Sequence, residues 1–399
     1  MASDPIVIVS AARTPIGGFM GDFASVAAPQ LGAVAIRAAV ERAGIDPQQV
    51  EEVLFGCVLQ AGVGQAPARQ ASLGAGLPLS AGCTTIHKVC GSAMKATMLA
   101  HDLLLAGSDE IIVAGGMESM SSAPYLLPKA RAGYRLGHGA LLDHMFFDGL
   151  EDAYENDEKG GRRLMGTFAE DCARSYGFSR AEQDRFAITS LERARTANSD
   201  GSFAWEIAPV TVAGRKGERV VDKDEQPFTA NPDKIPTLKP AFRKDGTVTA
   251  ANSSSISDGA AALVLMRRST AGKLGVTPLA TVLGHATHAQ QPALFTTAPV
   301  GSMQKLFARL GWRARDVDLF EINEAFAVVT MAAMKDLDLP HDKVNVHGGA
   351  CALGHPIGCS GARIIVTLIG ALKKYGLRRG VASLCIGGGE ATAIGLELV

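Results

Sequence analysis

The feature that most constrains this chain is that it resembles itself. RAGIDPQQVEEVLFG, from Arg42, is matched by RLGWRARDVDLFEIN, from Arg309, and DEIIVAGGMES, from Asp109, by ASLCIGGGEAT, from Ala382. Both pairs are offset by roughly 270 residues, far beyond the period of a solenoid, so the pattern reads as a duplicated half. Ile6–Ser10, Val50–Phe55 and Glu110–Ala114 read as strands, Ala33–Ala43 and Ser92–Leu105 as helices, and Gly115–Gly116 as a turn. This alternation predicts an α/β fold around a buried, mostly parallel sheet.

A chain of 399 residues is too long for one ordinary core. Residues 121–246 break the alternation. They are charged and punctuated by Pro and Gly, contain EDAYENDEKGGRR and AGRKGERVVDKDEQP, and carry helices near Phe168–Tyr176 and Arg180–Ala197. They read as a peripheral insertion. The division is then an N-terminal half (1–120 and 247–275), an inserted loop domain (121–246) and a C-terminal half (276–399).

A formal net charge of −1 gives no broad basic field, which argues against a nucleic-acid partner. No apolar run reaches the length of a membrane helix. The opening MASDPIVIVSAARTPIGG has neither a secretory nor a transit pattern, so a soluble, cytoplasmic protein is expected. Seven cysteines, an odd number, are expected to be reduced. The 45 glycines are in excess, and many should sit where backbone turns or passes close to something.

Four segments can carry chemistry. HKVCGSAMKA places Cys90 before a helix, whose N-terminal N–H groups and dipole favour thiolate; a buried structural cysteine fits the same spacing. NVHGGACALGHPIGCSGARII puts His355 in a glycine loop, as a base titrating near 6.5 or as a turn histidine bonded to backbone. SLCIGGGEATAIG brings Cys385 into a glycine turn whose N–H groups could meet an oxyanion. EINEAFA sets Asn323 between a strand and a helix, as a cap or as a group orienting a water. Cys83-x3-His87-x2-Cys90 is the best candidate metal cluster and lacks a fourth ligand at a familiar spacing, so no metal is expected. No dinucleotide fingerprint or phosphate loop is present.

Together, in this order and spacing, GHPIG, NEAFA, the Cys-Gly-Ser segment and the terminal C-x-GGG-x-A resemble the thiolases, most closely the acetyl-CoA acetyltransferase group. The resemblance runs from IVIVSAARTPIGGF to GGGEATAIGLELV. It implies a thiolase-like fold: two βαβαβαββ halves in αβαβα layers with an inserted loop domain, assembled as a homodimer or homotetramer. It implies condensation of two acetyl-CoA to acetoacetyl-CoA, with acyl-CoA and CoA as substrates and no cofactor. Cys90 matches the acylated nucleophile, His355 its base, and Cys385 the acid/base cysteine. Asn323 matches the holder of an oxyanion-hole water, and the N–H groups of Cys90 and Gly387 match a second oxyanion hole. Ser254, Ala250, Phe242, Phe326, Leu150 and Met165 match contacts to the CoA thioester; plain packing fits them too.

Departures bear on the substrate. Leu164-Met165-Gly166 stands where His-Met-Gly is frequent, after an insertion around Asn156–Arg163. This keeps open a broader 3-oxoacyl-CoA thiolase of fatty-acid breakdown. Pro227 and Lys234 stand at the positions of the usual CoA-contacting arginine and serine, so contacts to the CoA adenine and phosphates differ. Arg215 and Lys216 could meet CoA phosphates or form a solvated hairpin pair. His87 and Cys351 replace the usual Asn and aliphatic residue.

Overall fold

A computed structural model describes residues 4–214 and 217–399; Arg215 and Lys216 lie outside the described residues. The first half runs β1 (Ile6–Arg13), α1 (Ala28–Ala43), β2 (Glu52–Gly56), α2 (Pro67–Gly74), β3 (Gly82–Ile86), α3 (Ser92–Ala106) and β4 (Ile111–Ser119). After the insertion, with α4 (Met165–Tyr176) and α5 (Arg180–Ser199), it is closed by β5 (Ser257–Arg267). The second half runs β6 (Ala280–Ala289), α6 (Ala298–Leu310), β7 (Leu319–Ile322), α7 (Ala327–Leu337), α8 (Ser360–Tyr375), β8 (Arg379–Ile386) and β9 (Glu390–Leu398).

The two strand orders match. The first half is β1-β5-β4-β2-β3, and the second is β6-β9-β8-β7, with a parallel bridge from Phe320 to Val344 where the first half has its fifth strand. They meet where Val7 and Ile8 of β1 pair with Thr281 and Ala280 of β6. The sheet is mixed, not mostly parallel. β2, β3 and β4 are parallel, as are β7 and β8, but the strands that return, β5 and β9, run antiparallel to both neighbours.

β1 is buried on both faces, so its side chains build two cores. Val7 and Val9 pack on the outer side with α1 and α2, and Ile6 and Ile8 face α3 and α8. α3 and α8 lie together between the halves of the sheet, and α6 covers the far side. The layers are α-β-α-β-α.

Gly115 and Gly116 are not a turn but the middle of β4. A Cβ on Gly116 would stand 2.0 Å from the carbonyl oxygen of Gly358, so glycine lets the GHPIG loop rest on the strand. The insertion is fastened to the core by Arg13, which is fully buried with Glu206 and donates to both oxygens of Asp224 at 2.7 and 3.0 Å. Removing one member of such a buried pair costs about 3–5 kcal/mol.

Candidate active site

The nucleophile turn is built locally. Val89 takes φ 46°, a left-handed value rare for a β-branched residue, and turns the chain so that Cys90 sits just before α3. Ser92 locks this turn: its Oγ accepts the Lys88 N–H (2.8 Å) and donates to the Val89 carbonyl (2.6 Å). Lys88 forms an ion pair with Glu390, which ties the turn to the segment following Gly387–Gly389.

The C-terminal half brings the base. His355 is 6% exposed, and its Nδ1 lies 2.5 Å from Ser360 Oγ. Ser360 gives its own hydrogen to the Pro356 carbonyl (2.9 Å), so at His355 it must accept. The ring proton is therefore on Nδ1 and the lone pair on Nε2. The Nδ2 of Asn323 approaches that Nε2 at 3.5 Å, while Asn323 Oδ1 is buried with no hydrogen-bond partner among the described residues. Cys385 is fully buried at the end of β8, and the Gly387 N–H points at the Cys90 sulfur.

These groups meet in a cavity of about 360 Å³. Cys90, His355, Cys385 and Gly387 line it, as do Ser254, Ala250, Phe242, Phe326, Leu150 and Met165; Asn323 stands behind His355. Phe242 and Phe326 meet edge to face with centroids 6.0 Å apart. The walls are overwhelmingly apolar, so polar groups point at the reacting position from a dry surface. Pro227 is buried in a short helix and Lys234 is exposed in the 232–237 turn, neither on this cavity.

Electrostatics depart from the expected thiolate. Burial pushes the Cys90 thiol up to about 11, only partly offset by the N–H groups of Gly387 and Cys90. Although its sulfur borders the cavity, it lies deep in protein mass, and that outweighs the helix terminus. Burial, helped by the charge of Arg363, lowers His355 to about 3 instead of near 6.5. Burial raises Cys385 well above 9.0, and so would a charge on Cys90. The resting site is two neutral thiols and a neutral imidazole.

Ser360 and Glu118 were missed in the sequence. The signal for Ser360 is the shared helix opening, Cys90-Gly91-Ser92 against Gly358-Cys359-Ser360. Glu118 is a lone carboxylate in an apolar strand. It is fully buried, and accepts N–H bonds from Val58 (3.0 Å), Leu59 (3.1 Å) and Gly358 (2.9 Å), joining a loop of each half beside Cys90. Cys83, His87 and Cys90 do not converge. Among the described residues the group with metal-like spacing is His101, Asp102 and His285, where one Asp102 oxygen faces both rings at 3.1 and 2.8 Å.

Comparison with known proteins gives the family and the fold. Residues 6–269 match the family model described as thiolase, N-terminal domain, and residues 276–398 that described as thiolase, C-terminal domain. The chain is 50% identical over 397 residues to acetyl-CoA acetyltransferase 2 of Arabidopsis thaliana, covering 99% of this chain and 97% of the relative. It is 48% identical over 394 residues to acetyl-CoA acetyltransferase of Cupriavidus necator, covering 98% and 99%. The crystal structure of the Bacillus anthracis acetyl-CoA acetyltransferase superposes with a TM-score of 0.96 at 41% identity over 100% of both chains.

Proposed function

The chain belongs to the thiolase family, and from that premise we propose that it is an acetyl-CoA C-acetyltransferase working through an acyl-Cys90 intermediate. The observation that carries the mechanism is the convergence of Cys90, Cys385 and the lone pair of His355 Nε2 on one apolar cavity.

The protons balance. As the Cys90 sulfur attacks the acetyl-CoA carbonyl, its proton passes to His355 Nε2. The oxyanion is met by the N–H groups of Cys90 and Gly387. When the tetrahedral centre collapses, the C–S bond to CoA breaks and CoA leaves with the proton of Cys385. Cys385 thiolate then takes a methyl proton from a second acetyl-CoA. Acylated Cys90 can no longer be charged, so one of the forces raising Cys385 is gone. The enolate oxygen accepts from His355 Nε2–H and from a water held by Asn323 Oδ1, to which no described residue donates. The enolate carbon attacks the acyl carbonyl, Cys90 departs, and His355 returns its proton. Thiolysis is the reverse. Residues and the two thioesters supply every proton and electron pair, so the reaction calls for no metal or organic cofactor.

Because the site rests neutral, deprotonation accompanies attack. In His355→Ala, which lacks the base, alkylation of Cys90 by iodoacetamide without substrate should rise about tenfold per pH unit up to pH 9 with no plateau near 7. A plateau there would show a preformed thiolate. The assignment of Cys90 is tested by Cys90→Ser, which should remove acetoacetyl-CoA thiolysis and labelling by radioactive acetyl-CoA; surviving turnover refutes it. For Cys385→Ala we expect some labelling to persist while condensation stops.

The proposal extends to the division into 1–120 with 247–275, 121–246 and 276–399, to a cytoplasmic location, and to a homodimer or homotetramer. Seven unpaired thiols suit a reducing compartment. The edge strand β3 has an open side, and the Tyr125–Leu126 and Leu142–Asp143 hairpin, with its connecting loop, exposes Tyr125, Leu127, Leu136 and Leu141. Light scattering on the purified protein reads the assembly.

A further inference from the structure

The catalytic cavity has a neighbour. A second cavity of about 240 Å³ lies against it, and Val89, Gly149, Met165 and Gly387 form walls of both. Its outer wall is the hairpin of Glu151–Asn156 and Arg162–Leu164, the segment that carries the insertion noted in the sequence.

We propose that this side cavity receives the acyl chain of neutral 3-oxoacyl-CoA substrates longer than acetoacetyl-CoA. The proposal rests on the thiolase reading and extends its substrate range. An acyl group on Cys90 has its oxygen held by the N–H groups of Cys90 and Gly387. Gly387 and Val89, which precedes Cys90, both belong to the shared wall, so the chain begins its path at that wall. Two of the four wall residues are glycines and one is a stiff β-branched side chain. Met165 is the movable part: an unbranched thioether with three rotatable bonds, adaptable to irregular space. Its Sδ lies 3.6 Å from where a Gly387 Cβ would stand. Leu164, in place of a frequent histidine, adds an apolar wall on the catalytic side.

The lining also sets the class of chain. Phe147, Ala153 and Tyr154 offer apolar surface, while Asp148, Glu151 and Asp152 outnumber Arg162. Arg162 is engaged, stacked 3.9 Å over the Phe147 ring and donating to the Phe147 carbonyl at 2.9 Å. A terminal carboxylate would meet net negative charge, so a neutral chain is specified.

The test compares thiolysis of acetoacetyl-, 3-oxohexanoyl-, 3-oxooctanoyl- and 3-oxoadipyl-CoA by the wild type and by Ala153→Trp, which fills the side cavity from an exposed position of the hairpin. The wild type should process the two neutral longer substrates with kcat/KM within about tenfold of acetoacetyl-CoA, and 3-oxoadipyl-CoA at least about tenfold worse than 3-oxohexanoyl-CoA. Ala153→Trp should keep acetoacetyl-CoA within about twofold and lose at least about tenfold on the neutral longer pair, with Ala153→Leu between. Wild type that turns over acetoacetyl-CoA yet rejects 3-oxohexanoyl-CoA overturns the side cavity and leaves the thiolase reading intact. So does a variant whose four rates fall together at unchanged melting temperature. Efficient use of 3-oxoadipyl-CoA overturns the neutral class. Failure on acetoacetyl-CoA itself is failure of the thiolase reading.

Discussion

His355 can serve Cys90 only while its proton stays on Nδ1, and Ser360 keeps it there by accepting the Nδ1–H hydrogen bond while donating its own hydrogen to the Pro356 carbonyl. Ser360 is a positioning residue. Ser360→Ala should lower kcat by about tenfold to a hundredfold, less than the ~10²–10⁴ a general base supplies outright, with KM little changed. Ser360→Thr, which keeps the hydroxyl, should recover most of it. Equal rates in wild type and alanine variant would remove the serine from the mechanism. At this scale the reacting residues were legible because each sits in a dense local motif. Their ionisation was not: the thiol and imidazole are governed by how much protein surrounds them, which neighbours in the chain do not report. The helix terminus pointed to thiolate, and burial prevailed.

Elements were legible where periodicity is long. α3, read as Ser92–Leu105, spans Ser92–Ala106, and α5, read as Arg180–Ala197, spans Arg180–Ser199. β4 was cut short because its glycines imitate a turn. Their reason is the distant Gly358, which nothing nearby in the chain announces. Gly116→Ala should therefore act on the GHPIG loop. Forcing a methyl against the Gly358 carbonyl should cost about 1–3 kcal/mol and displace His355, lowering the melting temperature and kcat together. Unchanged activity with full stability would mean that the strand and loop do not depend on this contact. Strand direction was equally hidden, since a buried antiparallel strand such as β5 carries the same continuous apolar run as a parallel one.

For the whole molecule, buried titratable groups set the range of pH in which it holds together. His341 and His347, both lowered to about 4 by burial, and His355, at about 3, stay neutral in the fold, whereas the unfolded chain binds protons near 6.5. Their contribution is lost as pH falls through that window. Burial raises Glu118 to about 7 and Glu321 to about 8, so the fold holds protons that the unfolded chain releases above 4.5, and this contribution is lost as pH rises towards 8. Melting temperature should peak between about pH 5 and 6.5 and decline at pH 4 and pH 8.5; a steady rise from pH 5 to 8.5 would contradict the buried carboxyls. The matching strand orders have another outcome. Ser92 and Ser360 open equivalent helices; one fastens the nucleophile's turn, the other the base's ring, and the acyl oxygen is met by one N–H from each half. Neither repeat holds a working centre. Catalysis therefore belongs to the docking of the two halves and to neither alone.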